Sequence, residues 1–183
     1  AIIIFSLPVM AVAKTATIKT PLGDIEIDLL EEDAPKTVAN FLRYIEANRY
    51  ENAFMHRSVS DFIIQGGGFT FTDGTVAGVE GFGTVENEFK VSNTRGTVAM
   101  AKLGGDPDSA SSQWFINLGD NSGNLDGQNG GFTVFGRVTG NGMAVADAIA
   151  ALDTINAQGA FTDLPVINYS SGPIAEENLV MTD

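Results

Sequence analysis

Cysteine is absent, histidine occurs once, and Lys and Arg together number only 10 against 23 Asp and Glu in 183 residues. Each shortage removes a class of function. Without thiols there is no disulfide framework and no thiolate metal site, and the chain is indifferent to its redox compartment. One histidine leaves a metal with oxygen ligands only. A formal charge of −13, with no cluster of cations to offset it locally, repels nucleic acid and anionic lipid, so neither is expected as a partner. No apolar run reaches the roughly 20 residues that a membrane span needs.

The nearest to one is "AIIIFSLPVMAVA", residues 1–13, uncharged and ending in Ala11-Val12-Ala13 before Lys14. It reads as the apolar region and small-residue cleavage site of a secretory signal whose basic start has been truncated. An apolar edge strand or buried arm is the alternative. On the first reading the mature protein is residues 14–183, exported and not held in the membrane once the signal is removed.

What is present points to strands. An apolar share of 44% suffices for one core, so a single domain is expected. Twenty-one glycines and short Val, Ile and Phe runs indicate many turns between strands. "ATIKTPLGDIEIDLL" reads as a hairpin with one wet face, because Ile25, Ile27 and Leu29 alternate with acids. "EDAPKTVANFLRYIEANRY" places Val38, Phe41, Leu42 and Ile45 at helical spacing, with Pro35 in the first turn and Asp33 at the positive end of the helix dipole. A second helix is expected over "GMAVADAIAAL", on the face of Val145, Ile149 and Leu152. The runs "FIIQG", "TVAMAK", "QWFINL" and "FTVFGRV" read as strands, and "NLVMT" as a closing one. Together these suggest a closed or nearly closed β-barrel capped by two helices.

Most chemistries fail on the residues present. "DNSGNLDGQNGG" matches a calcium loop at Asp120 and Asn124, then has Leu125 in place of glycine and no glutamate at the twelfth position. No G-x-S-x-G elbow accompanies His56. Gly66-Gly67-Gly68 fits neither phosphate-loop pattern and suits a tight strand exit. What survives needs no nucleophile, metal, cofactor or base, and rotation about an Xaa-Pro peptide bond is such a reaction. Its barrier of ~18–20 kcal/mol comes from amide conjugation. In the twisted state the nitrogen lone pair becomes an acceptor, and Arg57 is a permanent donor that does not give up its proton. Phe62, Ile63, Phe115, Leu125 and Phe132 are candidate apolar walls for a prolyl ring. Gln65 is placed to fix the guanidinium or the substrate backbone.

The ordered segments "APKTVANF", "FMHRSVSDFIIQGGGF", "NTRGTVAMAK", "DSASSQWFINL", "NLDG" and "FTVFGRV" resemble the cyclophilin family of peptidyl-prolyl isomerases, most of all its bacterial secreted branch. The resemblance implies an eight-stranded antiparallel barrel closed by two helices, a groove on its outer face, and a monomer in the periplasm or medium that acts on proline-containing peptides and unfolded proteins. It assigns catalysis to Arg57, Phe62 and Gln65. Substrate contacts fall to His56 and Ile63, to the Ala101-Lys102 backbone, and to Gln113, Phe115, Leu125 and Phe132. His56 is a structural neighbour of Arg57 rather than an acid or base.

Four departures from the family pattern stand out. Ser60-Asp61 replaces Pro-Gly, loosening a turn and bringing a carboxylate near Arg57. Trp114 replaces phenylalanine. Phe132 replaces a histidine or tyrosine, and Asn124 stands where members sensitive to cyclosporin carry tryptophan, so weak cyclosporin binding is expected. For Lys102 and Asp61 a solvated face and a substrate contact both stay open. A proline-peptide binding module or holdase with little catalysis is the alternative to an isomerase. Asn168-Tyr169-Ser170 fits a glycosylation pattern only weakly.

Overall fold

The computed structural model describes residues 14–183, so the expected signal, residues 1–13, lies outside the described residues. The strands are β1 (Thr15–Thr20), β2 (Gly23–Leu29), β3 (Ala53–Phe54), β4 (Arg57–Val59), β5 (Ile63–Gly66), β6 (Phe69–Thr72), β7 (Thr75–Gly78), β8 (Thr97–Met100), β9 (Trp114–Asn117), β10 (Val134–Val138), β11 (Thr154–Ile155), β12 (Leu164–Pro165) and β13 (Met181–Thr182). The helices are α1 (Pro35–Glu46), the single turn α2 (Ser122–Leu125) and α3 (Gly142–Ala150).

The protein is mainly β, as expected, but the ladder is not one closed eight-stranded ring. An antiparallel sheet runs β1-β2-β10-β8-β9-β5-β4, and a second runs β13-β3-β6-β7. The division arises at Met55-His56, between β3 and β4, where the chain changes partners: Met55 N donates to Val180 O and His56 N to Gln65 O. At the opposite edge Lys19 and Asp183 exchange backbone hydrogen bonds of 2.8 and 3.2 Å. The hairpin β6-β7 was not foreseen. Nor was α2, where the failed calcium loop turns helical: Asp120 Oδ1 accepts from Ser122 N and Oγ.

Alternation along β2 sends Ile25, Ile27 and Leu29 into the interior, where they meet Ile64, Val98, Met100, Ile116 and Phe135. Gly136 is required there, because a Cβ would stand 2.5 Å from Ile27 Cγ2. The helix α1 covers one end of the core through Thr37, Val38, Phe41 and Tyr44. It has no side-chain cap of its own at Ala34. Instead Glu88, from the long loop before β8, accepts from Lys36 N, Thr37 N and Thr37 Oγ1, satisfying donors that a helix start leaves unpaired. Asp33, expected at that dipole, pairs with Lys90 at 2.6 Å.

Ile45, expected on the buried face, is 40% exposed. The last turn of α1 overhangs a cleft of about 270 Å³ lined by Ile18, Phe41, Tyr50 and Trp114. In α3, Val145 and Ile149 are buried and Leu152 packs beside them, as the spacing predicts.

Candidate active site

The outer face of the seven-stranded sheet carries a second, smaller apolar cluster. Register explains how it forms. Arg57 pairs with Gln65 across β4-β5, Gln65 with Phe115 across β5-β9, and Phe115 with Ala99 across β8-β9. One row of side chains therefore crosses four strands on a single face. Its neighbours Ile64, Ile116 and Val98 point the other way, into the core. Ile63, Ala99, Phe115, Leu125 and Val134 are buried in the outer cluster, with Phe62, Ala101 and Phe132 partly covered.

These residues open onto a cleft of about 360 Å³ lined by Arg57, Phe62, Ile63, Gln65, Ala101, Lys102, Phe115, Leu125 and Phe132, together with Asn124 and Gln128. That volume falls within the range of small-ligand sites. The cleft beneath Ile45 is also apolar, but no arginine is among the described residues that line it. Nine of the eleven residues singled out from the sequence thus share one concavity. Gln113 lines the adjoining recess with Gln65, Ala101, Lys102 and Leu103, and its Oε1 accepts from Gln65 Nε2 at 2.8 Å.

His56, expected among the substrate contacts, does not line the cleft and lies behind its wall. It is 3% exposed, packs edge-on against Phe69 at 5.0 Å, and leaves Nδ1 without a partner. Burial pushes its pKa down to about 4, with the Arg57 charge acting in the same direction and a hydrogen bond with Gln113 opposing. The ring is therefore neutral near pH 7.

Arg57 is half-exposed, and its Nε stands 3.5 Å from Asp163 Oδ2. The carboxylate beside the guanidinium is therefore Asp163, not the expected Asp61. Asp163 sits 106 positions along the chain and is brought in by a backbone bond, Ser58 N to Asp163 O. No local pattern in the sequence signals it. Asp61 instead lines a shallow recess with Arg95 and Asp147. Its φ of 60° takes the left-handed conformation that the replaced glycine would adopt, and Phe62 N still donates to Val59 O at 3.1 Å, so the turn is closed rather than loosened.

Lys102 Nζ donates to Asn129 O at 2.7 Å and to Gly131 O at 2.6 Å, and sits 5.0 Å from the Phe132 ring centre. Burial lowers its pKa, with Asp108 and Asp106 opposing. The lysine thus ties the loop before β10 to the cleft, and Phe132 meets Phe115 edge-on at 5.8 Å. Trp114 faces inward and is 3% exposed. Gly67, at φ 72°, accommodates it, since a Cβ would stand 2.7 Å from the indole nitrogen.

A sequence model described as "Cyclophilin type peptidyl-prolyl cis-trans isomerase/CLD" matches residues 15–170. The chain belongs to the cyclophilin family. It is 41% identical over 159 residues to a peptidyl-prolyl cis-trans isomerase, cyp18, of Streptomyces antibioticus, covering 83% of this chain and 92% of that one. It is 40% identical over 155 residues to peptidyl-prolyl cis-trans isomerase B of Escherichia coli, covering 81% and 91%. The fold superposes with a TM-score of 0.67 on a cyclophilin-type isomerase of Cryptosporidium parvum crystallised in the presence of the dipeptide Ala-Pro, at 20% identity and 93% and 96% coverage. Of the four departures, Asn124 and Phe132 line the cleft, while Ser60-Asp61 lines a separate recess and Trp114 faces the core.

Proposed function

We propose that this cyclophilin is a peptidyl-prolyl cis-trans isomerase whose outer cleft seats the prolyl ring of an Xaa-Pro peptide beneath Arg57. The observation that carries this reading is the row Arg57-Gln65-Phe115, which sets a guanidinium and an amide at the edge of an apolar floor. Relatives about 40% identical bear the name of that activity.

The reaction moves no proton and breaks no bond. Phe62, Ile63, Phe115 and Leu125 hold the ring while the acyl side turns. As conjugation is lost, the prolyl nitrogen becomes an acceptor for Arg57, and Gln65, tethered by Gln113, faces the substrate backbone. A charge-assisted hydrogen bond is worth about 1.5–3 kcal/mol, roughly ten- to hundredfold in rate. The rest comes from a dry pocket whose groups are already in place.

Several finer readings accompany this one. The uncharged residues 1–13 and the motif likeness to secreted bacterial members support a periplasmic or secreted protein that acts on unfolded chains as a monomer. N-terminal sequencing of exported material, and sedimentation of it, test these. The reciprocal Lys19-Asp183 bonds support reading the two sheets as halves of one barrel. Asn124 in the cleft, with no indole to donate, supports weak cyclosporin binding; a tight isotherm would refute it.

A binding module with little catalysis is favoured by one feature, the contact of Arg57 with Asp163. Two-dimensional exchange NMR on an Ala-Pro peptide separates the readings. Exchange cross-peaks with the wild type that fall by tenfold or more in rate with Arg57→Ala establish the isomerase. Binding without exchange establishes the module.

A further inference from the structure

Three asparagines lie behind the cleft: Asn93 and Asn117 are fully buried and Asn121 is 9% exposed. Their side-chain amides run head to tail. Asn121 Nδ2 donates to Asn117 Oδ1 at 2.7 Å, Asn117 Nδ2 to Asn93 Oδ1 at 3.2 Å, and Asn93 Nδ2 to Asp126 Oδ1 at 3.0 Å. Asp126 accepts again from Asn93 N at 2.9 Å and from Ser92 Oγ. An ionised carboxylate only accepts, so it fixes the direction of every amide upstream, and each bond polarises the next. Burial works against its ionisation, but the bonds from Ser92 and Asn93 outweigh that and hold its pKa below the ordinary value.

The second N–H of each amide shows what the relay holds. Asn121 Nδ2 donates to Phe62 O at 2.9 Å, Asn93 Nδ2 to Phe132 O at 3.0 Å, and Asn117 Nδ2 to Thr97 Oγ1 at 2.9 Å. Phe62 and Phe132 are walls of the cleft. Its floor is tied to the same relay, because Leu125 N donates to Asn121 O at 2.8 Å and Leu125 directly precedes Asp126. Burying three amides and half-burying a carboxylate is costly unless each is satisfied. Here the satisfied set ends on the backbone carbonyls of two residues that line the cleft, Phe62 and Phe132.

We infer that Asn93, Asn117, Asn121 and Asp126 are positioning residues for the isomerase reaction. They set the spacing of the Phe62 and Phe132 walls and carry the seating of a prolyl ring from one wall to the other. This rests on the proposed function, since it assumes that the cleft takes a prolyl ring.

The test has two arms. In the wild type, an Ala-Pro peptide is titrated while the side-chain NH₂ signals of Asn93, Asn117 and Asn121 are followed by NMR. The expected result is that all three shift along the isotherm of the cleft residues; binding that leaves them unmoved overturns the relay. In the second arm, Asn121→Ala is compared with the wild type. The expected result is a roughly tenfold loss of kcat/KM with a folded spectrum, and a displaced carbonyl signal at Phe132 as well as at Phe62. A shift confined to Phe62, with kcat/KM within twofold, makes the network a folding device only and overturns the inference. If Asn121→Ala does not fold, the wild-type arm decides. If the wild type neither binds nor turns over the peptide, the proposed function fails instead, and the Phe132 carbonyl shift still reports whether the walls are linked.

Discussion

The inner and outer faces of the seven-stranded sheet are made from the same strands, yet they are different materials. On β9, Ile116 points inward and is fully buried among other apolar side chains, while Phe115, one residue before it, faces outward into the cleft wall. On the segment leading into β4, His56 is buried and neutral while Arg57 stands half-exposed beside Asp163. The inner face is closed by α1 and α3, and the outer one is covered by loops and the single turn α2. A period of two thus allots one residue to stability and the next to chemistry.

The sharpest way to break this division is to truncate one residue on each face. Ile116→Ala should cost about 2–5 kcal/mol of stability by denaturant unfolding, with kcat/KM little changed well below the transition. Phe62→Ala, on the half-covered wall, should cost only about 1–2 kcal/mol and lower kcat/KM at least tenfold. The reverse pattern would mean that the two faces are not separable.

The pair His56 and Arg57 tests it next. In the unfolded chain His56 takes up a proton near pH 6.5, and in the folded one only near pH 4. Its contribution is therefore complete above pH 6.5 and is lost as pH falls toward 4, by up to about 3 kcal/mol. Unfolding at pH 7 and pH 4 should show that part of the slope removed by His56→Gln, with Arg57→Ala leaving most of it in place.

Two smaller effects sharpen the outer face. Asp163→Asn should lower kcat/KM by no more than about fivefold, since a half-exposed ion pair is worth about 1 kcal/mol or less. Salt should bring the wild type toward the variant, and a gain in rate would show that Asp163 restrains Arg57. Asp61→Gly should stabilise by about 0.5 kcal/mol, because glycine meets a φ of 60° without the steric cost of a side chain.

Legibility from the sequence followed the range of the interactions. The hairpin at Gly23 and the helices α1 and α3 were readable because the 2.0 and 3.6 periods are local. The apolar walls and Arg57 were readable because the motif residues lie close together in short runs. Asp163 was not, because its approach to Arg57 depends on a loop docking 106 residues away. The Glu88 cap on α1 was equally hidden. Asn117 did leave a trace, as a polar residue in the run "QWFIN", but its partners Asn93 and Asn121 are separated from it by turns.

The sequence by itself determined which residues alternate on each strand, where two of the helices begin, and that an arginine stands beside a short apolar run in a chain without thiols. Only the tertiary structure decided which carboxylate faces that arginine, how the ladder divides into two sheets, and which amides stand behind the prolyl walls. The physical reason is that side-chain period is fixed by backbone geometry within a few residues, whereas an ion pair or a buried amide relay exists only after distant segments have packed and excluded water.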